Sequence, residues 1–432
     1  MSAVSPEVPG KALDGGGRRT ALGLLLGISF FNYADRYMLA ILIPDIQREF
    51  QLSDTQIGFM TGIAFTLLYA TLGVPIARLA DLYSRRKLLS VVLAFWSAMT
   101  VLCGMAQSFM QLLVARVLVG VGEAGCTPAA HSMISDYFPP KKRASALSIY
   151  TLGEPIGMMT GFALGGMIAA LYGWRVALIC FGVPGIVYAA IVFWKLKDPP
   201  RRKEARAPDQ LVGTSAPPFW AGFRTLVKKR TFVHCCLGMG IYGVVCIGQI
   251  FWLPSFLTRT FDLEPGRVGL MLALALGLAQ LLGLLTGGLL ADRLAKSDTR
   301  WYLWLPGVAV CIASPLYAAV FLAPTAGLAL VALALPAFLG IMQAGPVFSV
   351  VQSVSGPGLR AVGAASFVLA VNLIGSALGP QIIGITSDLL SGTYGADSLR
   401  YAMLGISVIF SLWGGVHYFL GSRSIAHDAN PA

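Results

Sequence analysis

Four ionisable residues interrupt long apolar runs. Asp35 and Arg36 lie within GISFFNYADRYMLAILIP, and Arg116 and Glu123 lie within LVARVLVGVGEAGCTPAA. Burying such charges costs several kcal/mol, so they face a cavity or a partner. Arg116 and Glu123 are seven residues apart. Two helical turns put them on nearly one face, about 10 Å apart, with Gly120 between them and Thr127 continuing the stripe. Adjacent Asp35 and Arg36 point about 100° apart on a helix and cannot serve one spot. By depth, both lie near the level of Arg116, and Glu123 lies deeper. Two ion pairs follow, Asp35 with Arg116 and Arg36 with Glu123. Desolvation favours the protonated form of a carboxyl group and a neighbouring guanidinium the ionised form. A guanidinium moving in and out of contact would therefore load or release a proton, and an anionic headgroup would compete for it. The same pairs could also serve only to hold helices together.

Glu154, in SALSIYTLGEPIG, is a third buried carboxylate, readable as a site residue or as a helix-packing group. GVGEAG, residues 120–125, is a literal G-x-G-x-x-G. That motif holds a pyrophosphate only between a strand and a helix. Here it sits inside an apolar run with no strand before it, so the glycines read as helix-packing positions and no dinucleotide is expected. His131, His234 and His417 read as structural. The seven cysteines all fall in apolar runs, with no C-x-x-C and no histidine partners at metal spacing. No metal and no cofactor are expected.

The elements that must position these residues are membrane helices. The chain is 56% hydrophobic and 12% charged, with mean hydropathy +0.72, against about 25% charged in soluble domains. A spanning helix takes about 20 apolar residues. Twelve such runs occur, near 20–43, 55–80, 88–106, 110–138, 144–171, 175–194, 231–258, 267–291, 301–322, 327–353, 362–390 and 399–421. The polar first 19 residues precede a run too long for a cleaved signal. Placing both termini and every second loop on one side puts 24 of the 32 Lys and Arg there, and only Arg48 and Arg259 opposite. This is the positive-inside pattern with cytoplasmic termini. The net charge of +12 is then a topology signal and not a nucleic-acid footprint.

The expected organisation is a cytoplasmic tail (1–19), a six-helix bundle (20–194), a basic linker (195–230) with a short surface helix near FWAGFRTLV, a second six-helix bundle (231–421) and a cytoplasmic tail (422–432). The halves repeat. ARLADLYSRRK follows the second run and GLLADRLAK the eighth, so Asp81 corresponds to Asp292, 211 residues on. Arg143 and Arg360 each open a later span. Allowing one inserted residue, Glu154 then matches Asn372 and Gly157 matches Gly375. Two related bundles around a central site are the build of an alternating-access carrier. The second half holds no mid-span acid or base. It offers Gln249, Gln343 and Asn372 with Tyr242, Phe251, Trp252, Phe348 and Phe367. A cavity charged on one wall and apolar on the other suits an amphipathic molecule.

These features together resemble the major facilitator superfamily over the whole chain. ARLADLYSRRK resembles its G-x-L-A-D-R-x-G-R-R loop motif. Leu79, Ala80, Asp81, Arg85 and Arg86 match, while Ala77, Leu82 and Ser84 depart from it. Arg116-x-x-x-Gly120-x-Gly122 resembles the family's fourth-helix motif, associated with proton coupling. Within the superfamily, FNYADRYMLAILIPDIQREFQLSDTQIG, RVLVGVGEAG and DYFPPKKRASALSIYTLGEPIG are most similar to the spinster-type transporters of sphingosine-1-phosphate or lysophospholipids. N-Y-x-D-R and G-E-A also resemble the organic anion:cation symporters, which move hexuronates.

The resemblance implies an all-α carrier of twelve helices, with Asp35, Arg36, Arg116 and Glu123 as the polar core. An acid at the position of Glu154 is unusual in the spinster segment. The expectation is a proton-coupled secondary transporter, not an enzyme, of an anionic or zwitterionic single-chain lipid. Asp35, Glu123 and Glu154 would handle protons. Arg36, Arg116, Thr127, Gln249, Phe251, Gln343 and Asn372 would contact substrate. Asp81, Arg85, Arg86, Arg143 and Asp292 would form a cytoplasmic gate. A symporter of small organic anions is the alternative. Short loops and the lack of large appended domains suggest a monomer in a bacterial inner membrane.

Overall fold

The computed structural model describes residues 15–199, 219–356 and 358–429, and it is all-helical. In the order of the expected spans, the helices are α1 (Gly15–Phe50), α2 (Asp54–Thr61, resuming as Ile63–Leu82), α3 (Arg85–Gly104), α4 (Phe109–Glu123, resuming as Cys126–Tyr137), α5 (Pro140–Thr151, resuming as Gly153–Tyr172) and α6 (Trp174–Lys195). The second half holds α7 (Arg230–Phe261), α8 (Pro265–Leu294), α9 (Trp301–Phe321), α10 (Ala326–Ile341, resuming as Ala344–Ser355), α11 (Arg360–Val371, a π turn Asn372–Ser376, then Ala377–Tyr394) and α12 (Ser398–Ser422). Among the described residues, ten helical stretches are long and apolar enough to cross a membrane. One of them, the 61 residues Val362–Ser422, folds back through the 3₁₀ turn Gly395–Asp397 and so contains both α11 and α12. The first predicted span is α1, which stands outside those ten.

Local sequence sets many of the boundaries. Ser53 and Gln56 form a capping box that starts α2. Ser84, Ser108 and Thr325 cap α3, α4 and α10 through their hydroxyls. Each side chain satisfies a backbone N–H that the first helical turn leaves free. Gly173, at φ 83°, makes the tight turn from α5 to α6. The linker contributes a short helix, Phe219–Leu226. Its Gly222 packs on Leu359 and Val362 at the start of α11, while Trp220 stands exposed.

Packing in lipid relies on close backbone approach, because apolar side chains gain little by leaving lipid tails. The α1–α5 seam shows this. Gly153, Gly157, Gly161 and Gly165 recur every fourth residue and lie against Ser29, Phe30, Ala34 and Met38. A Cβ on Gly161 would stand 2.5 Å from the Ala34 carbonyl oxygen.

The halves meet at the end of the bundle away from the termini, here called the distal end. Gly58 and Gly62 of α2 lie on the Pro380 and Ala377 carbonyls of α11, and Gly384 lies on the Asp54 carbonyl. Gly269 of α8 lies on the Phe162 carbonyl of α5. A polar cluster completes the seal. Arg259 donates to both Asp54 carboxylate oxygens, at 2.9 and 2.6 Å, and to Gln47 at 2.5 Å. Ser387 donates to Asp54 at 2.6 Å. The Asp388 carboxylate accepts from the backbone N–H groups of Asp54 and Thr55, at 3.1 and 2.7 Å. That bond uses the electropositive start of α2 as a docking point for the other half.

The expected gate residues are placed differently. Arg85 bonds Asp136 at 2.6 Å and Ser132 at 2.9 Å, and the Arg86 backbone donates to Asp198 at 2.9 Å. Asp292 accepts from Tyr302 at 2.9 Å. These contacts stay within one half, so none of them latches the two halves together in this state. Arg143 Nε donates to the Phe138 carbonyl at 3.2 Å. The side chain of Asp81 lies outside the described residues.

Two outcomes test this packing. Gly161→Ala should destabilise the protein by about 1–3 kcal/mol through overpacking. Gly405→Ala, where a Cβ meets nothing within 4 Å, should be neutral; thermal unfolding in detergent checks both. Arg259→Gln should loosen the distal seal and lengthen the distance between spin labels at positions 51 and 391, which line the distal cleft.

Candidate functional site

Helix α1 divides its charges between two environments. Tyr33, Arg36 and Tyr37 share one face and line a central cavity of about 170 Å³. Asp35 turns away from that cavity, is buried, accepts from the Thr100 hydroxyl at 2.9 Å, and pairs with Arg116 at 3.4 Å. Arg36 pairs with Glu123 at 2.5 Å. Both pairs expected from helical spacing are therefore formed. Their exposures differ: the Arg36 side chain is 24% exposed, whereas those of Asp35, Arg116 and Glu123 are 6%, 2% and 0%. Only Arg36, of the four, lines the cavity.

Arg36 is held in an aromatic cage. Its guanidinium carbon lies 5.7 Å from the Tyr33 ring centre, 5.1 Å from Phe65 and 5.3 Å from Tyr69. The Arg116 guanidinium shares the Phe65 ring at 5.2 Å. Cation–π attraction is worth about 2 kcal/mol or more where the cation is desolvated. Gly120 makes room for this arrangement, since a Cβ there would stand 3.1 Å from the Phe65 ring. Gly122 lies on Trp96 and Gly125 on Ile76 in the same way. The three glycines of the G-x-G-x-x-G thus pack helices.

The other walls come from α2, α5, α7 and α11. Glu154 lines the cavity together with Thr61, Thr66, Ile247, Phe251 and Asn372. It accepts from the Tyr37 hydroxyl at 3.4 Å. A second cavity of about 130 Å³ shares Glu154, Tyr37, Ile247 and Ile250, then runs into the second half along Tyr242, Gln249, Leu276, Gln280 and Tyr317. Asn372 opens the π turn of α11 and accepts from Ser376 at 3.2 Å. The pseudo-equivalent residues Glu154 and Asn372 thus face one space.

Several expected contacts lie elsewhere. Arg116 is buried in its pair and does not line either cavity. Thr127 sits past the break in α4 and lines neither. Gln343 is buried, donates to the Gly340 carbonyl at 2.9 Å and accepts from the Tyr418 hydroxyl, so it packs within the second half. Gln249 lines the second cavity while donating to Ser407 at 2.9 Å. Sequence reasoning missed the Phe65 and Tyr69 walls of the cage and the His234–His417 contact, where the Nδ1 atoms are 2.9 Å apart. The spacing of Phe65 and Tyr69, four residues apart with rings stacked at 6.0 Å, was the available signal for the cage.

Comparisons with known proteins bear on the family and the fold. Residues 25–424 match the model of the Major Facilitator Superfamily. An MFS-type efflux pump of Mycolicibacterium smegmatis is 32% identical, covering 99% of each chain. A hexuronate transporter of Bacillus subtilis is 27% identical, over 93% of this chain and 95% of its own. The crystal structure of a bacterial homolog of the human lysosomal transporter Spinster, inward-facing and unoccupied, superposes with a TM-score of 0.88 at 30% identity, covering 97% of this chain and 100% of the other.

Removing one partner of a buried pair strands the other charge at a cost of about 3–5 kcal/mol. Asp35→Asn should therefore destabilise the protein strongly, and Asp35→Asn with Arg116→Gln should recover most of that loss. Thermal unfolding of the two singles and the double variant measures the coupling.

Proposed function

We propose a transport cycle for this chain, which belongs to the Major Facilitator Superfamily and is a spinster-like secondary transporter, not an enzyme. The cargo is a single-chain amphiphile with an anionic or zwitterionic headgroup, and its movement is coupled to protons. The observation that carries the reading is the division of the four charges: Arg36 alone opens onto the cavity, caged by aromatic rings, while its partner Glu123 lies fully buried behind it. Protonation of Glu123 would release Arg36 to take the headgroup. Loss of that proton would reclaim Arg36 and expel the headgroup. Proton and anion thereby exchange at one guanidinium. Asp35 and Arg116 form the second half of this relay, with Asp35 able to take a proton as Arg116 shifts. The apolar residues Ile247, Ile250 and Phe251 face Arg36 across the cavity and suit the alkyl chain.

In this reading the distal seal is the outer gate, closed here, and the site opens toward the end that bears the termini. The charge asymmetry of the loops supports a cytoplasmic placement of that end, and the short loops support a bacterial inner membrane. Asp81, Arg85, Arg86, Arg143 and Asp292 belong to the inner gate in this reading. The protein would act as a monomer.

A second reading, a symporter of small organic acids, draws on the modest cavity volume of about 170 Å³ and on the 27% identity to a hexuronate transporter. One experiment separates the two. Purified protein is reconstituted in liposomes with a trapped pH dye and no imposed gradient, and a lysophospholipid or a glucuronate-like acid is added. Proton flux is expected with the lipid and should fall to the level of empty liposomes in Glu123→Gln. Flux with the acid alone would overturn the lipid reading. Wild-type pH dependence in Glu123→Gln would remove Glu123 from the coupling.

A further inference from the structure

The charge balance of the central site leaves one group unmatched. Two guanidiniums, Arg36 and Arg116, meet three carboxylates, Asp35, Glu123 and Glu154. Both guanidiniums are engaged, Arg36 with Glu123 at 2.5 Å and Arg116 with Asp35 at 3.4 Å. Glu154 has hydroxyls for partners, that of Tyr37 at 3.4 Å and that of Tyr33, and the Arg36 guanidinium acts on it through space; among the described residues it forms no ion pair. It nevertheless sits at the waist between the two cavities and lines both. An unpaired carboxylate is costly away from water, and a cation is what offsets the cost.

The surroundings of Glu154 fit an ammonium group. Tyr33 and Tyr37 stack at 6.2 Å beside it, and Tyr37 lies 5.8 Å from Phe162, so the carboxylate is approached past aromatic rings. Beyond it, the second cavity supplies Tyr242, Tyr317, Gln249 and Gln280, hydroxyl and amide groups with no further charge. A carboxylate set among aromatic faces recognises a quaternary or primary ammonium by ion pairing and cation–π attraction together. The anion subsite at Arg36 is on the same cavity wall system, with Tyr33 and Tyr37 lining it alongside both charged groups.

We infer that Glu154 is the receptor for a positively charged amine of the cargo, so that the protein selects cationic or zwitterionic amphiphiles over purely anionic ones. The inference rests on the amphiphile reading above and assigns the headgroup two poles: phosphate or a similar anion at Arg36, ammonium at Glu154. A substrate with both poles would bridge α1 and α5. A hexuronate, which carries no cation, would leave Glu154 unmatched.

The test uses the full-length protein in nanodiscs and three soluble octyl probes: octyltrimethylammonium, its neutral near-isostere octyldimethylphosphine oxide, and octyl phosphate. In the wild type, the cation should bind at least tenfold more tightly than the isostere. Glu154→Gln should abolish that preference. Glu154→Asp should retain the preference. Equal wild-type binding of cation and isostere overturns the inference, and it does so without any variant needing to fold. An undiminished preference in Glu154→Gln also overturns it. Failure of all octyl probes to bind while a glucuronate-like acid binds overturns the amphiphile reading, and this inference with it. Octyl phosphate binding with no cation preference overturns the inference alone.

Discussion

Charge buried in a medium of low dielectric must be matched within a few ångströms, and that constraint organises the first half of this protein. Matching Asp35 to Arg116 and Arg36 to Glu123 ties α1 to α4 through their side chains. Because Asp35 and Arg36 are adjacent, their side chains diverge, and the two pairs cannot form on one face of α1. One pair is therefore driven into the packed interior with Thr100, and the other to the cavity wall. The rest follows sterically. Phe65 lies against both guanidiniums, Gly120 yields space to Phe65, and the glycines of α5 bring its carboxylate close to α1.

Much of this was legible in the sequence, for identifiable reasons. Hydropathy located the helices because a bilayer imposes a length and a composition on each. The pairs were legible because a seven-residue spacing returns a side chain to the same face. Other features were not. Asp54 and Arg259 look like ordinary loop charges, and only the folded chain reveals that they meet across 205 residues. The four-residue spacing of Phe65 and Tyr69 puts them on one face, but only the folded chain brings Arg36 beside both. Gln343 and Thr127 carry the polar groups expected of a lining residue, but their orientation depends on breaks in α10 and α4 that hydropathy does not register.

Those breaks form a pattern. Helix α4 is interrupted just after Glu123, α5 just before Glu154, α10 beside Gln343, and α11 turns through a π segment beginning at Asn372. These are equivalent helices in the two halves. Discontinuous helices free backbone groups that must be satisfied within the protein or along a cavity. Here each interruption lies beside a mid-helix polar side chain. The broken architecture recurs in both halves, with a carboxylate beside these breaks in the first and an amide in the second.

The distal seal is made largely of carbonyl oxygens pressed against glycines: Pro380 and Ala377 over Gly58 and Gly62, and Asp54 over Gly384. Beside it, the bonds of Arg259 to Asp54 and Gln47 must break when the halves part. Water then reaches both faces, so separation of the halves is in part a wetting event. Its rate would then follow the activity of water, slowing in concentrated osmolyte, where a hinge limited by side-chain repacking would not. The bulk solvent on the far side of the membrane becomes in that sense a reactant in the cycle.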